Sequence, residues 1–255
     1  MVFHFTYFRG TTDWRWSDIH TLCLKSCQKM TGATQIVVHY DREDSGVDWD
    51  VARALGGIEW RQRNFEAVIN GHPVKDQRLI HDTHRLRTLW EEGGWYCDLD
   101  FVFLKSFEKL RHNPAVIGTQ CKQKSKLNCA LIGAVPGAAF IGGYLAKYQE
   151  WSPDLEKSFW IPANTWPWEL SHRYPCEVLP RPAFYPVAWS NKSFWKGGKT
   201  CVKNSYAVHL WESMKPTLCV ESLRSTVLSS HVEAVSDDRA VSTVNLLPAV
   251  TLTFD

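Results

Sequence analysis

No stretch of this sequence is long and apolar enough to cross a membrane, which takes about 18 such residues in a row. The opening Val2–Phe8 is apolar, but His4 interrupts it, Arg9 follows, and no basic leader precedes it. It is too short for the core of a signal peptide, so the chain reads as cytoplasmic. Zinc spacing is absent too. Cys23 and Cys27 lie four apart, as on a helix, and Cys97, Cys121, Cys129, Cys176, Cys201 and Cys219 are scattered without a CxxC. A chain this long does not depend on disulfides, so free thiols in a reducing compartment are expected. Charge of one sign is also lacking. A net charge of +2 implies neither a nucleic-acid nor a membrane partner, and any basic site must be local. There is no internal repeat and no low-complexity linker.

What is plentiful is tryptophan. Six of the thirteen fall between Trp151 and Trp195, where aromatic faces could stack on sugars or bases, or simply fill a core. The pattern of strands and helices is clearest in the first half. Val2–Phe8 and Gln35–Tyr40 read as strands, with a helix from Ser17-Asp18 to about Met30 between them, stopped by Gly32. Asp50–Leu55 is a short helix candidate and Ile58–Arg63 a third strand. Asp76–Glu92 is the clearest helix, with Leu79, Ile80, Thr83, Leu86, Leu89 and Trp90 on one face and Gly93-Gly94 as its stop. Trp95–Cys97, Phe101–Leu104, Ala115–Thr119, Cys129–Val135 and Tyr206–Trp211 are strand candidates, and Ala138–Tyr148 is a helix candidate. Residues 151–203 show few periodic runs. Alternation of this kind predicts an α/β chain with a mixed, mostly parallel central sheet flanked by helices, in one domain of residues 1–215. A helix over Leu218–Leu228 and a tail would make up residues 216–255.

In open α/β sheets ligands gather at the carboxyl ends of strands. Asp98-Leu99-Asp100 follows such a strand, and its two carboxylates, two residues apart on extended chain, share a face. Like charges so placed suit either a hard divalent cation, Mn²⁺ or Mg²⁺, with coordination positions left for phosphate, or a polar turn with solvated carboxylates, and the triplet alone favours the turn.

The neighbourhood is distinctive. Asp82, Arg85 three later, Gly93-Gly94, the aromatic pair Trp95-Tyr96, then Asp98 and Asp100 form one run, followed by the apolar Phe101–Lys105. Asn128–Gly137 is an Asn-led strand ending in Pro-Gly. Val208-His209-Leu210-Trp211 lies late in the chain, with Phe184-Tyr185-Pro186 before it. These motifs resemble the DXD sugar-binding glycosyltransferases, the family of yeast-type α-mannosyltransferases and capsule-synthesis transferases, and more distantly the glucosylating clostridial toxins. The resemblance covers roughly residues 1–215 and implies a GT-A-like, Rossmann-like domain that transfers a sugar from a UDP- or GDP-sugar to a hydroxyl, with retention. It implies that Asp100 ligates the metal, that Asp98 touches metal or ribose, and that His209 is a further ligand. Because an imidazole suits Mn²⁺ better than Mg²⁺, manganese is the expected ion.

The resemblance further implies that Asp82 and Arg85, one helical turn apart, hold hydroxyls of the transferred sugar. Tyr7 and Phe8, at the end of the first strand, could flank the base or equally pack in the core. Asn128 could bond the donor or support the Asp98–Asp100 loop. Lys192, Lys196, Lys199 and Lys203 surround Gly197-Gly198 in a loop that could close over the diphosphate or meet an anionic acceptor. Lys122, Lys124 and Lys126 form a second basic run. If inversion were found, Asp154, Glu169 and Glu212 are the carboxylates to test as base. Glu212 also departs from the family, which often has Asn after His-Leu-Trp, and Ile161–Leu170 lacks the usual Gly-Pro. The expected acceptor is a glycan. A hydroxymethylated base in DNA is the alternative acceptor, and a metal-dependent phosphohydrolase the alternative of another class.

Overall fold

The computed structural model describes residues 1–10, 12–121, 126–191 and 201–212. β1 (Val2–Tyr7) leads into α1 (Asp18–Met30), which starts from an extended Ser17 (φ −121°, ψ 167°) and buries Ile19, Cys23 and Cys27 along one stripe. β2 (Gln35–Tyr40) follows, then α2 (Val47–Arg53) and β3 (Ile58–Gln62). α2 begins a turn earlier than the apolar pattern suggests; Asp48 and Asp50 fall in its first turn, where carboxylates suit the positive end of the helix. β4 (Val68–Ile69) and β5 (His72–Pro73) form a small hairpin around Asn70-Gly71, both at positive φ, as a two-residue turn requires.

α3 (Gln77–Glu91) starts at Asp76, whose side chain accepts the Arg78 N–H. Its buried face includes Leu79, Ile80, Leu86 and Leu89 as expected, but also Asp82 and Arg85. Trp90, expected on that face, is 41% exposed. The helix ends at Gly93-Gly94, and here the glycines are required. Gly94 has φ +88°, and a Cβ on it would lie 2.3 Å from a methyl of Val2.

β6 (Gly94–Cys97), β7 (Phe101–Phe103), β8 (Ala115–Thr119), β9 (Leu127–Ala134), α4 (Ala139–Lys147), α5 (Trp166–Ser171), β10 (Glu177–Leu179) and β11 (Ala207–His209) complete the chain. α5 and β10 were not legible in residues 151–203, and short helical turns at Pro153–Ser158, Ile161–Thr165 and Arg181–Ala183 fill much of the rest. Of the tryptophans there, Trp151 and Trp166 are buried while Trp160 and Trp189 are about half exposed.

The main sheet has seven strands in the order β10-β8-β9-β6-β1-β2-β3. All run the same way except β9, which is antiparallel to both neighbours. This is the mixed, mostly parallel sheet flanked by helices that the sequence predicts. β11 pairs antiparallel with β7 beside it. The central strands β1, β2, β6, β8 and β9 are buried on both faces, whereas the edge strands β3 and β10 are partly exposed. On the α1 side Phe3, Phe5 and Tyr7 pack with Trp16, Trp49, Phe103 and Phe107; on the α3 side lie Leu79, Leu86, Leu89, Tyr96 and Ile132. Among the described residues no disulfide forms, and no helix is long and apolar enough to cross a membrane.

Candidate active site

The β6 strand ends at Cys97, and the chain is held there by the Asp98 N–H on the Ala130 carbonyl, 2.8 Å. Asp98 and Asp100 then diverge into different surroundings. Asp98 turns toward α3, where Arg85 donates to it at 2.7 Å. The same guanidinium reaches Asp82 at 3.2 Å and the Cys129 sulfur at 2.8 Å, and stacks over the Tyr96 ring at 4.5 Å. The Asp82–Arg85 pair is no solvated surface bridge, since both residues are at most 5% exposed. Asp82 also accepts from the Cys129 thiol and, at 3.4 Å, from the Tyr148 hydroxyl. Burial raises the Asp82 carboxyl against the pull of Arg85. Burial also pushes Asp98 up to about 6, with Arg85 opposing and the Asp100 charge adding.

Asp100 faces the segment that follows β11. The His209 Nε2 lies 3.0 Å from one of its oxygens, the Glu212 N–H donates to the other at 2.9 Å, and the Leu210 N–H donates to its carbonyl at 2.8 Å. Although burial works in the opposite direction, these contacts hold the Asp100 carboxyl below its ordinary value. The His209 ring is fixed between Phe101, stacked at 4.4 Å, and Trp211 at 4.1 Å. Trp211 has φ +57°, a left-handed conformation that costs a bulky residue on the order of 1–3 kcal/mol.

Ligand atoms of Asp98, Asp100 and His209 lie within 4.8 Å of one another, the only such group among the described residues. The donor set suits a divalent cation. The buried His209 Nδ1 has no partner. If Nε2 carries the proton, Nδ1 is a buried bare lone pair. If Nδ1 carries it, the Nε2 lone pair faces a carboxylate, an opposition that a cation between them would relieve.

Other expected site residues fall differently. Tyr7 cannot flank a base as it stands, because its ring is wholly buried among Trp14, Trp16 and Trp49 and its hydroxyl donates to Asp44. Phe8 is 7% exposed and packs on Phe65. The Asn128 side chain accepts the Ala130 N–H at 2.8 Å, and Ala130 in turn holds Asp98, so Asn128 stands behind the loop. Asp154 is exposed on a turn, and exposed Glu169 lies 3.6 Å from Lys147. Glu212 is not free to act as a base, since Ser17 and His20 hold its carboxylate. Lys192, Lys196 and Lys199, Lys122 and Lys124, and the proposed 216–255 helix and tail lie outside the described residues. The roles of Cys129, Tyr148, Tyr96 and His20 were missed: Tyr96 and Cys129 sit in noticed motifs without a role assigned to them, and Tyr148 and His20 have no distinctive spacing.

Residues 17–117 match the family model described as the glycosyltransferase sugar-binding region containing the DXD motif. Residues 166–232 match a second, the alpha 1,4-glycosyltransferase conserved region. Lactosylceramide 4-alpha-galactosyltransferase of Rattus norvegicus is 26% identical over 172 residues, 59% of this chain and 45% of the relative. The Homo sapiens enzyme of that name is 27% identical over 154 residues, 52% of this chain and 41% of the relative. The match thus spans less than half the length of these curated relatives. Among solved structures, the galactosyltransferase LgtC with donor and acceptor sugar analogs aligns at a TM-score of 0.48 and 13% identity, covering 95% of this chain and 98% of that one. PaToxG glycosyltransferase aligns at a TM-score of 0.47 and 14% identity, covering 68% and 67%. The first family model spans Asp82, Arg85, Asp98 and Asp100 and the second spans His209, so the stretches that resemble these two glycosyltransferase families meet at one site.

Proposed function

We propose that this protein transfers a sugar from a nucleotide-diphosphate sugar to a hydroxyl of a glycan, with a divalent cation held by Asp98, Asp100 and His209. The observation that carries the reading is the convergence of these three residues next to the buried Asp82–Arg85 pair. Mn²⁺ is the preferred ion because the set includes an imidazole. When bound, the ion would supply Lewis acidity to the leaving diphosphate. Asp82 and Arg85 would orient the hydroxyls of the transferred sugar, since a buried, pre-paired guanidinium and carboxylate need little reorganisation. Their enclosure by Cys129, Tyr148 and Tyr96 keeps water from that side of the sugar and so limits hydrolysis of the donor. Retention of configuration is favoured by the family resemblance, and of the three candidate bases Glu212 is already engaged by Ser17 and His20 and Glu169 lies 3.6 Å from Lys147. The catalytic unit is residues 1–215.

The relatives' names favour galactosyl transfer to a lactosyl-type acceptor, so those substrates head the panel. A two-metal phosphohydrolase would need further carboxylates around the pair, and among the described residues no other group qualifies. The basic runs that prompted a DNA acceptor lie largely outside the described residues. The test is a panel of nucleotide sugars with and without Mn²⁺. One donor is expected to be transferred or hydrolysed, and Asp100→Asn to abolish this. No turnover and no binding across the panel would overturn the proposal.

A further inference from the structure

The two carboxylates after β6 do not complete the metal-binding group. His209 does, and it arrives on a segment 109 positions later in the chain. What holds that segment in place is therefore part of the site. It is tied to Asp100 by three contacts, from His209, Leu210 and Glu212. The third needs the left-handed backbone at Trp211, which turns the Glu212 N–H back onto the carboxylate. A bulky aromatic residue does not hold that conformation unaided.

The Glu212 side chain supplies the aid. One carboxylate oxygen accepts the Ser17 hydroxyl at 2.9 Å, and the other lies 2.7 Å from the His20 Nε2. Ser17 and His20 form the first turn of α1. The Ser17 N–H donates to the His20 Nδ1 at 3.0 Å, so that nitrogen is the acceptor and Nε2 carries the proton that goes to Glu212. His20 is wholly buried, among Tyr7, Trp14 and Trp16. Two anchors on a rigid helix thus grip the residue whose backbone grips Asp100. The carboxylate also sits at the helix end whose unpaired N–H groups favour negative charge.

We infer that Ser17, His20 and Glu212 form a latch that positions Asp100 and His209 for the cation. All three are positioning residues, because their side chains act through the backbone of Glu212 and not on substrate. Glu212 stands where the family often has Asn, and a shorter amide would present only one oxygen to two donors. The inference rests on the metal reading above.

The experiment is a Mn²⁺ titration of the full chain followed by thermal melting, which needs no substrate. Wild type, Glu212→Ala, Glu212→Gln, His20→Ala, Ser17→Ala and the His20→Ala/Glu212→Ala double variant are compared. Glu212→Ala is expected to raise the half-saturating Mn²⁺ about 10–100-fold, the usual effect of losing a group behind a metal ligand. Glu212→Gln, which keeps one acceptor, should fall between. The double variant should shift no further than Glu212→Ala alone, because both changes open the same latch. If Glu212→Ala fails to fold, Ser17→Ala decides: a raised half-saturating Mn²⁺ supports the latch and an unchanged one overturns it. If Glu212→Ala and His20→Ala melt lower without Mn²⁺ but keep wild-type half-saturation, the contacts merely stabilise the fold and the inference fails. A wild-type chain with no Mn²⁺ response sinks the metal reading and the latch with it; a wild-type response left intact in Glu212→Ala sinks the latch alone.

Discussion

The two faces of β1 are built from opposite materials. Toward α1 it sends Phe3, Phe5 and Tyr7 into an aromatic layer. From its other face it sends His4 and Thr6, beside His39 of β2, toward His81, His84, Arg85 and Thr88 of α3. The His4 Nδ1 and His39 Nε2 are 3.2 Å apart, Arg63 donates to His39 at 3.4 Å, and the His39 and His84 rings lie 4.9 Å apart. The same division runs through the site: Asp98 belongs to the polar side and Asp100 to the α1 side. One face is a layer of packed aromatic rings, while the other buries imidazoles and the Asp82–Arg85 pair.

Predictions follow from the contrast, beginning with the greatest loss. Asp100→Asn should remove both Mn²⁺-induced stabilisation and transfer, read by melting and by donor turnover. Arg85→Met should destabilise the fold by about 3–5 kcal/mol in urea unfolding, because it strands Asp82 and Asp98 beside each other without their cation. Phe5→Ala, on the dry face, should cost a similar 3–5 kcal/mol through the cavity it leaves. The two variants part in their pH dependence: the Phe5→Ala loss should be constant from pH 8 to 5, and a loss that changed with pH would break the distinction between faces.

The histidine face should give the next largest effect. Burial, joined by nearby Arg61, Arg63 and Arg85, pushes His4 and His81 down to about 4, His84 to about 3 and His39 to about 2, although Glu92 pulls His4 the other way. Unfolded histidines titrate near 6.5. Between there and pH 4 the unfolded chain therefore binds more protons than the folded one, and stability falls as pH falls. With several groups acting together, the slope should exceed the one-proton value of about 1.4 kcal/mol per pH unit. His39→Gln should flatten it, and a slope unchanged by that substitution would show that carboxylates set the acid limit instead. Smallest of all, Cys129→Ser should alter stability by about 1 kcal/mol, while raising the KM for donor more than it lowers kcat if the Asp82–Arg85 pair that Cys129 braces binds the donor as proposed.

The motif residues of the polar side were legible through the family resemblance, because the motif is local in sequence, whereas the buried His4, His39, His81 and His84 were not. Asp82, Arg85, Asp98 and Asp100 lie within twenty positions, on a helix of clear period and the strand after it. What escaped reading is of two kinds. Residues 151–191 fold into one-turn helices and a three-residue strand, too short for periodicity to register, and a Trp- and Pro-rich composition suits packed turns and open loops alike. The partners of the site were hidden because contact depends on topology: Cys129 reaches Arg85 across 44 positions, Tyr148 reaches Asp82 across 66 and His20 reaches Glu212 across 192. Tyr7 shows the converse error. Its place at the end of β1 suggested a base contact as readily as core packing, and the surrounding tryptophans and Asp44 claim the whole side chain.

The pairing of β11 with β7 has a consequence in time. All seven strands of the main sheet lie before residue 180, whereas β11 and His209 come after 206. A chain growing from the ribosome can therefore assemble its sheet, with Asp98 and Asp100 already in place, before His209 has been made. Closing that long loop is among the last and most costly steps in entropy. In the proposed metal site, a cation present during synthesis would reward only chains in which β11 has docked on β7, so metal uptake would report that late pairing.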